Sequence, residues 1–313
     1  MYYIGIDIGG TGIKAGVVKE NGEIICKSSI PTEAGAEYTV LAKSIADLTL
    51  NVIKEAGISM DEVKSVGMGS PGSIDDKNGV VLYANNLNLL NAPLCAEVGK
   101  YIDKPIYIGN DANCAALGEY FALNDESITD FIAVTLGTGV GGGIVIDGKL
   151  FTGSNGVAGE LGHMVTVVDG EDCSCGRKGC WEAYASATAL IRDAERAAKV
   201  NPDSLVAKMI AENGGKANGK IVWDAMHAGD SVSKAVIDKY IQHIAEGIVN
   251  LINIFQPQVI AIGGGVSVQG DNLLNPVKAC VADRCYGNLK HADIVMAQLG
   301  NDAGIIGAAF LGK

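Results

Sequence analysis

The feature that most constrains this 313-residue chain is a pattern it uses twice. Residues 2–8 alternate as a half-buried strand, Gly9-Gly10-Thr11-Gly12 turns the chain, and 13–18 reads as a second strand, with Asn21-Gly22 as the hairpin turn into a third. From Asp130 the pattern returns: a buried strand over 131–136, the turn Gly137-Thr138-Gly139, a strand over 141–146, and the hairpin turn Asp147-Gly148. Asp7-Ile8-Gly9-Gly10-Thr11 set beside Thr135-Leu136-Gly137-Thr138 predicts a duplicated α/β unit, hence two related lobes. The first is expected over 1–120, with a C-terminal helix near 301–313 packing back on it. The second and larger is expected over 121–300 and carries a cysteine-rich loop at 163–180. No Pro/Ser-rich linker parts the halves, which predicts a shared hinge and a cleft.

Between the repeated turns, Val40, Leu41, Ile45, Leu48, Val52 and Ile53 fall at helical spacing, predicting a helix over 37–56 that Gly57 ends. Strands follow at 63–67 and 106–108, separated by a loop and a short helix. Further on come a helix over 182–199, a polar stretch containing Gly214-Gly215, a long helix over 232–255, and a strand over 259–262 that runs into Gly263-Gly264-Gly265. This alternation predicts largely parallel, helix-covered sheets.

Composition narrows the function. Forty-two glycines are nearly twice the usual ~7% share, an excess that needs a backbone explanation such as these turns. With 24 Lys+Arg against 36 Asp+Glu the net charge is −12, and no basic block offsets it, so nucleic acid and anionic membrane are poor partners. No apolar run reaches the ~18 residues of a membrane span. The start, Met1-Tyr2-Tyr3-Ile4, has neither a basic n-region nor a cleavage site, so a cytoplasmic location is expected. Of eight cysteines, three crowd into 173–180 while the rest scatter, which suggests a metal site with free thiols elsewhere.

The two glycine turns offer close backbone approach and clustered N–H donors, as a polyphosphate needs; one such turn alone would be an ordinary tight hairpin. Neither is a Walker A loop or a dinucleotide fingerprint. Gly263-Gly264-Gly265 suits either an adenosine moiety or the close packing of a following helix. Asn110-Asp111 follows the strand 106–108 and opens a helix, where α/β sheets bind ligands. Asp111 there is either a helix N-cap or a catalytic base. Asp7, Asp111, Glu160 and Glu182 sit in loops beside glycines or metal ligands and together suggest a polar cleft. His163 with Cys173, Cys175 and Cys180 is a sufficient set for closed tetrahedral zinc. Ligated through one ring nitrogen, His163 would aim its other N–H at a ligand, and zinc would orient a binding residue without taking part in chemistry.

In order, Asp7-x-Gly-Gly-Thr11, Ser70-Pro71-Gly72, Gly109-Asn110-Asp111, Leu136-Gly-Thr-Gly139, Gly159-Glu-x-Gly-His163 and Cys173-x-Cys-Gly-x-x-Gly-Cys180-x-Glu182 resemble the ROK family of sugar kinases and repressors, its bacterial glucokinases most. The resemblance covers nearly the whole chain, and the cysteine motif is its most distinctive part. It implies an actin/hexokinase-like (ribonuclease H-like) duplicated fold, ATP and Mg2+ in the cleft, a structural Zn2+ and a homodimer. By position it makes Asp111 the base. Asn86, Asn110, Glu160, His163 and Glu182 would hold the sugar, with Ser70 and Gly72 at the same site. Asp7, Gly9, Gly10, Thr11 and Gly12, with Gly137, Thr138, Gly139 and Gly263 to Gly265, would serve the nucleotide and its metal. One departure bears on which hexose fits: where the family often has a tryptophan before its Pro-Leu, this chain has Leu89.

The implied reaction is ATP-dependent phosphorylation of a hexose at its 6-hydroxyl, glucose foremost. Glu160 and Glu182 suit a neutral sugar because a carboxylate accepts two hydroxyls at once. N-acetylmannosamine, allose or fructose are the rival substrates. A ROK repressor is the rival of another class; it carries a DNA-binding helix-turn-helix before the first strand, whereas here that strand begins at Tyr2.

Overall fold

Alternating apolar residues at the N-terminus build one edge of a sheet. β1 (Tyr2–Ile8), β2 (Gly12–Lys19) and β3 (Ile24–Pro31) form an antiparallel meander. α1 (Tyr38–Glu55) and β4 (Val63–Ser70) follow, then β5 (Ser73–Asp75), β6 (Val80–Ala84), β7 (Leu89–Ala92), α2 (Leu94–Val98), β8 (Ile106–Asn110) and α3 (Asp111–Ala122). The computed structural model describes residues 1–33, 35–288 and 291–313. Its first sheet has the order β3-β2-β1-β4-β8, with β1, β4 and β8 parallel. Ile4, Ile6, Ile8, Ile13 and Val17 bury one face together with Leu41, Ile45 and Val52 of α1, as period-2 strands against an amphipathic helix should.

The chain forms two compact units. The first comprises Met1–Ala133, Gly142–Gly159 and Gln298–Lys313. The C-terminal segment supplies α10, introduced below, to the sheet's second face. There Tyr3 and Val18 meet Leu117, Ile305 and Phe310. β5, β6 and β7 make a separate three-stranded antiparallel sheet in the stretch where a loop is expected from sequence.

The second unit comprises Val134–Gly141 and Glu160–Ala297. The chain's second five-stranded sheet, not confined to this unit's stretches, consists of β9 (Phe131–Leu136), β10 (Val140–Ile146), β11 (Lys149–Leu150), β12 (Val259–Gly263) and β13 (Asp293–Met296) in the order β11-β10-β9-β12-β13. β10 and β11 are antiparallel, β12 and β13 parallel. The helices are α4 (Glu182–Ala185), α5 (Ala187–Val200), α6 (Leu205–Glu212), α7 (Gly219–His227), α8 (Ser231–Phe255) and α9 (Asp271–Ala282); α10 (Ala303–Ala309) follows in the C-terminal segment of the first unit.

The helix expected over 182–199 is two helices. Ser186 is extended (ψ 162°) and its Oγ accepts the Ala189 N–H at 3.1 Å, so a side-chain cap interrupts an otherwise continuous apolar pattern. The polar stretch around Gly214-Gly215 contains α6 and α7, whose starts are capped by Ser204 and Asn218. Caps of this kind use Ser and Asn, which is why the region reads as polar. Among the described residues no helix is long and apolar enough to cross a membrane.

α10 reaches the first sheet through glycine. Gly5 and Gly67 are register partners on β1 and β4, and a Cβ on either would overlap a carbonyl oxygen of α10, that of Ile305 or Ala308. α3 and α10 touch backbone to backbone in the same way. A methyl on Gly118 would overlap the Ala303 carbonyl, and one on Gly307 the Cys114 carbonyl.

Candidate functional site

In the first unit, the functional candidates lie at the carboxyl ends of its three parallel strands. The register sets Asp7 of β1 beside Gly69 of β4, Gly69 beside Gly109 of β8, and Ser70 beside Asn110. A Cβ on Gly69 would come within 3.7 Å of the Asp111 Cα, so Asp7 and Asp111 share this end of the sheet. Both carboxylates, after burial itself, push the fully buried Cys114 thiol far up from its ordinary value.

Asn110 is the helix cap. Its Oδ1 accepts the N–H of Ala112 (3.0 Å) and Asn113 (3.2 Å), and its Nδ2 donates to the Gly72 carbonyl at 3.1 Å. Asp111 is therefore the first helical residue, and its Oδ1 accepts the Ala112 N–H at 2.8 Å. The capping role that competes with catalysis for Asp111 belongs to its neighbour. Gly72 (φ +96°) fits where only glycine can, because a Cβ would overlap the Tyr83 carbonyl. Ser70 is fully buried, with Oγ 3.2 Å from the Pro71 carbonyl, so it supports this loop from below.

The first glycine turn is closed by Gly9 N–H donating to the Gly12 carbonyl (2.9 Å) and by Thr32, whose Oγ1 donates to the Gly9 carbonyl (2.6 Å). A Cβ on Gly10 would lie 3.6 Å from the Cβ of exposed Asn86. Leu89 is buried in the first unit's core and presents no side chain to solvent. Lys14, opposite Asp7 across the hairpin, brings its Nζ to 3.6 Å of the Asp7 carboxylate. Lys14 belongs to no motif in the sequence, although counting back from the glycine turn pairs it with Asp7. Further along α3, Asn113 has a buried Oδ1 with no partner among the described residues, and Glu119, which no motif singles out, is a carboxylate on the helix's buried face.

In the second unit, Glu182 ties three parts together. Its Oε2 accepts the Val140 N–H (3.0 Å) just after the glycine turn, and its Oε1 accepts from Ser174 Oγ (3.2 Å) and lies 3.8 Å from Cys173 Sγ. A Cβ on Gly139 would overlap that Oε2, so the glycine makes room for the carboxylate. The turn itself is held by Gly137 N–H donating to the Gly139 carbonyl (3.0 Å). It is pinned to the start of α5 by Ala187 N–H and Thr188 Oγ1, which donate to the carbonyls of Gly137 and Thr138. Gly264 (φ +84°) packs where a side chain would strike Leu136, whereas Gly265 opens onto free space.

The cysteine loop brings its donors together. One ligand atom each from His163, Cys173, Cys175 and Cys180 lies within 4.8 Å of the others, with Cys175 and Cys180 sulfurs 3.6 Å apart and His163 Nδ1 3.7 Å from Cys173 Sγ. Zinc with sulfur ligands at about 2.3 Å requires edges of about 3.8 Å, so the set fits a closed tetrahedral ion. Burial and the neighbouring thiols push the Cys180 thiol up to about 12, while the Arg177 backbone N–H draws Cys175 down. His163 turns its other nitrogen, Nε2, toward Glu160, whose Oε2 is 3.9 Å away. The loop's end is anchored by buried Trp181, whose Nε1–H donates to the His243 carbonyl (2.8 Å), and Gly247 lets α8 lie flat on the indole.

The ROK family model matches residues 3–313. The chain belongs to the ROK family. Among ROK relatives, a glucokinase of Thermotoga maritima is 38% identical, covering 99% of this chain and 96% of its own. An N-acetylmannosamine kinase of Haemophilus influenzae is 34% identical, covering 99% and 95%. A crystal structure of a ROK glucokinase from Streptomyces griseus, in complex with glucose and AMPPNP, superposes with a TM-score of 0.80 at 38% identity over 99% of both chains. The chain has the two-domain α/β fold of these ROK proteins.

Proposed function

We propose that this protein transfers the γ-phosphoryl group of ATP to the 6-hydroxyl of a hexose, with glucose as its substrate. The observation that carries the reading is Asp111. It is an acidic residue at the first position of a helix whose cap is filled by Asn110, at the same strand ends as Asp7. Two carboxylates at one end of a parallel sheet can take separate tasks, one accepting a proton and one serving the phosphate's metal. The glucokinase relatives, at 38% identity over nearly the full chain, support glucose as the sugar.

Asp111 accepts the proton of the 6-hydroxyl as that oxygen attacks the γ-phosphorus; the bond to the bridging oxygen breaks and ADP leaves with its electron pair. Asp7 suits a Mg2+ held mostly through water and phosphate, and that ion would neutralise charge developing on the phosphates. Lys14 holds Asp7 in place and adds positive charge beside it. Backbone N–H groups of Gly10 to Gly12, and of Thr138 and Gly139, receive phosphate oxygens, while those of Gly9 and Gly137 close the two turns, and Gly263 to Gly265 flank the adenosine. On the sugar, Glu160 and Glu182 accept hydroxyls, His163 donates from Nε2, and Asn86 and the remaining amide hydrogen of Asn110 complete the set, with Gly72 and Ser70 supporting it. His163, Cys173, Cys175 and Cys180 would hold a structural zinc.

The two five-stranded sheets have their strands in the same order, third-second-first-fourth-fifth, which supports a duplicated actin/hexokinase-like architecture. A cytoplasmic homodimer is the expected working form. The test is a coupled assay of ADP release with glucose, N-acetylmannosamine, allose and fructose at matched concentrations. Glucose should give the highest kcat/KM. A higher value for another hexose would replace the substrate, and no ADP release with any of them would remove the kinase reading.

A further inference from the structure

Glu119 is a carboxylate the proposed reaction leaves unused, and it is only 6% exposed. Burying a charge is costly unless it is fully hydrogen-bonded. Its two oxygens each take one backbone donor, Oε2 the Gln298 N–H (2.7 Å) and Oε1 the Leu299 N–H (2.9 Å). These lengths are those of charge-assisted bonds. The donors are far away in sequence. They stand where the chain, having left the second unit at Ala297, re-enters the first, just ahead of α10.

Glu119 and Asp111 occupy one rigid helix. Asp111 begins α3, and eight residues later, about 12 Å along the axis, Glu119 grips the lead-in to α10. α3 and α10 meet backbone to backbone at Gly118 and Gly307, and beside that crossing Leu117 and Phe121 of α3 pack against Ile305, Ile306 and Phe310. Such apolar contact is non-directional, so the two hydrogen bonds of Glu119 add the directional tie along the axis. α10 also meets the other carboxylate, since a Cβ on Gly304 would lie 3.3 Å from the Asp7 Cγ. A shift of α3 along α10 would thus change the placing of Asp111 relative to Asp7.

We infer that Glu119 is a positioning residue: its carboxylate, bridging the N–H groups of Gln298 and Leu299, fixes α3 lengthwise on α10 and so sets Asp111 against Asp7. This rests on Asp111 being the base. The experiment is a kinetic cycle of Glu119→Gln, Asp111→Asn and the double variant, with kcat, KM for glucose, zinc content and melting temperature measured for each. Glu119→Gln keeps the shape, but an amide cannot accept at both positions. It should lower kcat by about 10- to 100-fold while KM for glucose moves less than about threefold, because a small misplacement of a reacting group costs that much. In the Asp111→Asn background the same change should have little further effect on kcat, since both act through one proton acceptor. Unchanged kcat with only a lower melting temperature, or losses that multiply in the double variant, would overturn the assignment. Asp111→Asn alone reports separately on the base: if it keeps most of the activity, the base reading fails whatever Glu119 does. Should Glu119→Gln not fold, Glu119→Asp carries the same cycle. Amide exchange in the unaltered protein gives an independent check, slow at Gln298 and Leu299 if the carboxylate holds them, and fast if the inference is wrong.

Discussion

Asp111 and Asn110 divide two tasks between adjacent positions: either residue type could cap the helix, but only a carboxylate can take the proton. Because Asn110 satisfies the first free N–H groups of α3, changing Asp111 need not unravel the helix. Asp111→Asn should therefore leave glucose affinity and melting temperature close to the parent and lower kcat by about 10²- to 10⁴-fold. Steady-state kinetics with calorimetric titration of glucose check this, and retention of half the parent kcat would end the assignment. His243 gives a residue-scale dependence on pH. Burial holds its pKa below the ordinary 6.5, so the folded state resists protonating it while the unfolded state does not. Its contribution is present above about 6.5 and lost as pH falls toward the lowered value. Urea midpoints should fall over that interval, and less so in His243→Gln.

At the scale of elements, glycine decides which helices can approach. A methyl on Gly307 would overlap the Cys114 carbonyl across the α3–α10 contact, and neither backbone can yield without moving its helix. Gly307→Ala should lower stability by about 3 kcal/mol or more, at the upper end of overpacking costs. Gly265→Ala is the contrast, since nothing stands within 4 Å of its added methyl. It should change stability by no more than about 0.5 kcal/mol. If adenosine lies there, KM for ATP should rise. Urea denaturation of both variants with ATP kinetics separates the two effects, and equal stability losses would show that the contact at Gly307 can relax.

For the whole molecule, both tryptophans report on one unit. Trp181 follows the last cysteine ligand and Trp223 lies in α7, so indole fluorescence follows the second unit alone. One zinc per chain is expected by elemental analysis of protein prepared without added metal. Its removal by a chelator should lower the denaturation midpoint seen by fluorescence and raise KM for glucose, because Glu160 and Glu182 flank the ligands. Circular dichroism, which sees both units, should then resolve a second and later transition. Active enzyme with negligible zinc would eliminate the metal site.

Local order was legible in the chain because its causes are local. Alternation placed β1, apolar runs on either side of the glycine turns placed β2, β9 and β10, helical spacing placed α1, and Asn21-Gly22 placed a hairpin turn. The zinc donors could be read too, since three of the four fall within eight residues and a short loop can gather them without help from the rest of the fold. What required the tertiary structure depends on partners remote in sequence. Whether Asn110 or Asp111 caps α3 depends on Gly72, 38 residues away, whose carbonyl fixes the amide. Glu119 looks like any helical glutamate until Gln298, 179 residues on, supplies its donor. Gly5, Gly67 and Gly307 read as scattered glycines until α10 returns to the sheet that begins the chain. Spacing records what a segment can form alone, whereas a close backbone contact or a buried charge acquires its reason only when a distant segment arrives to meet it.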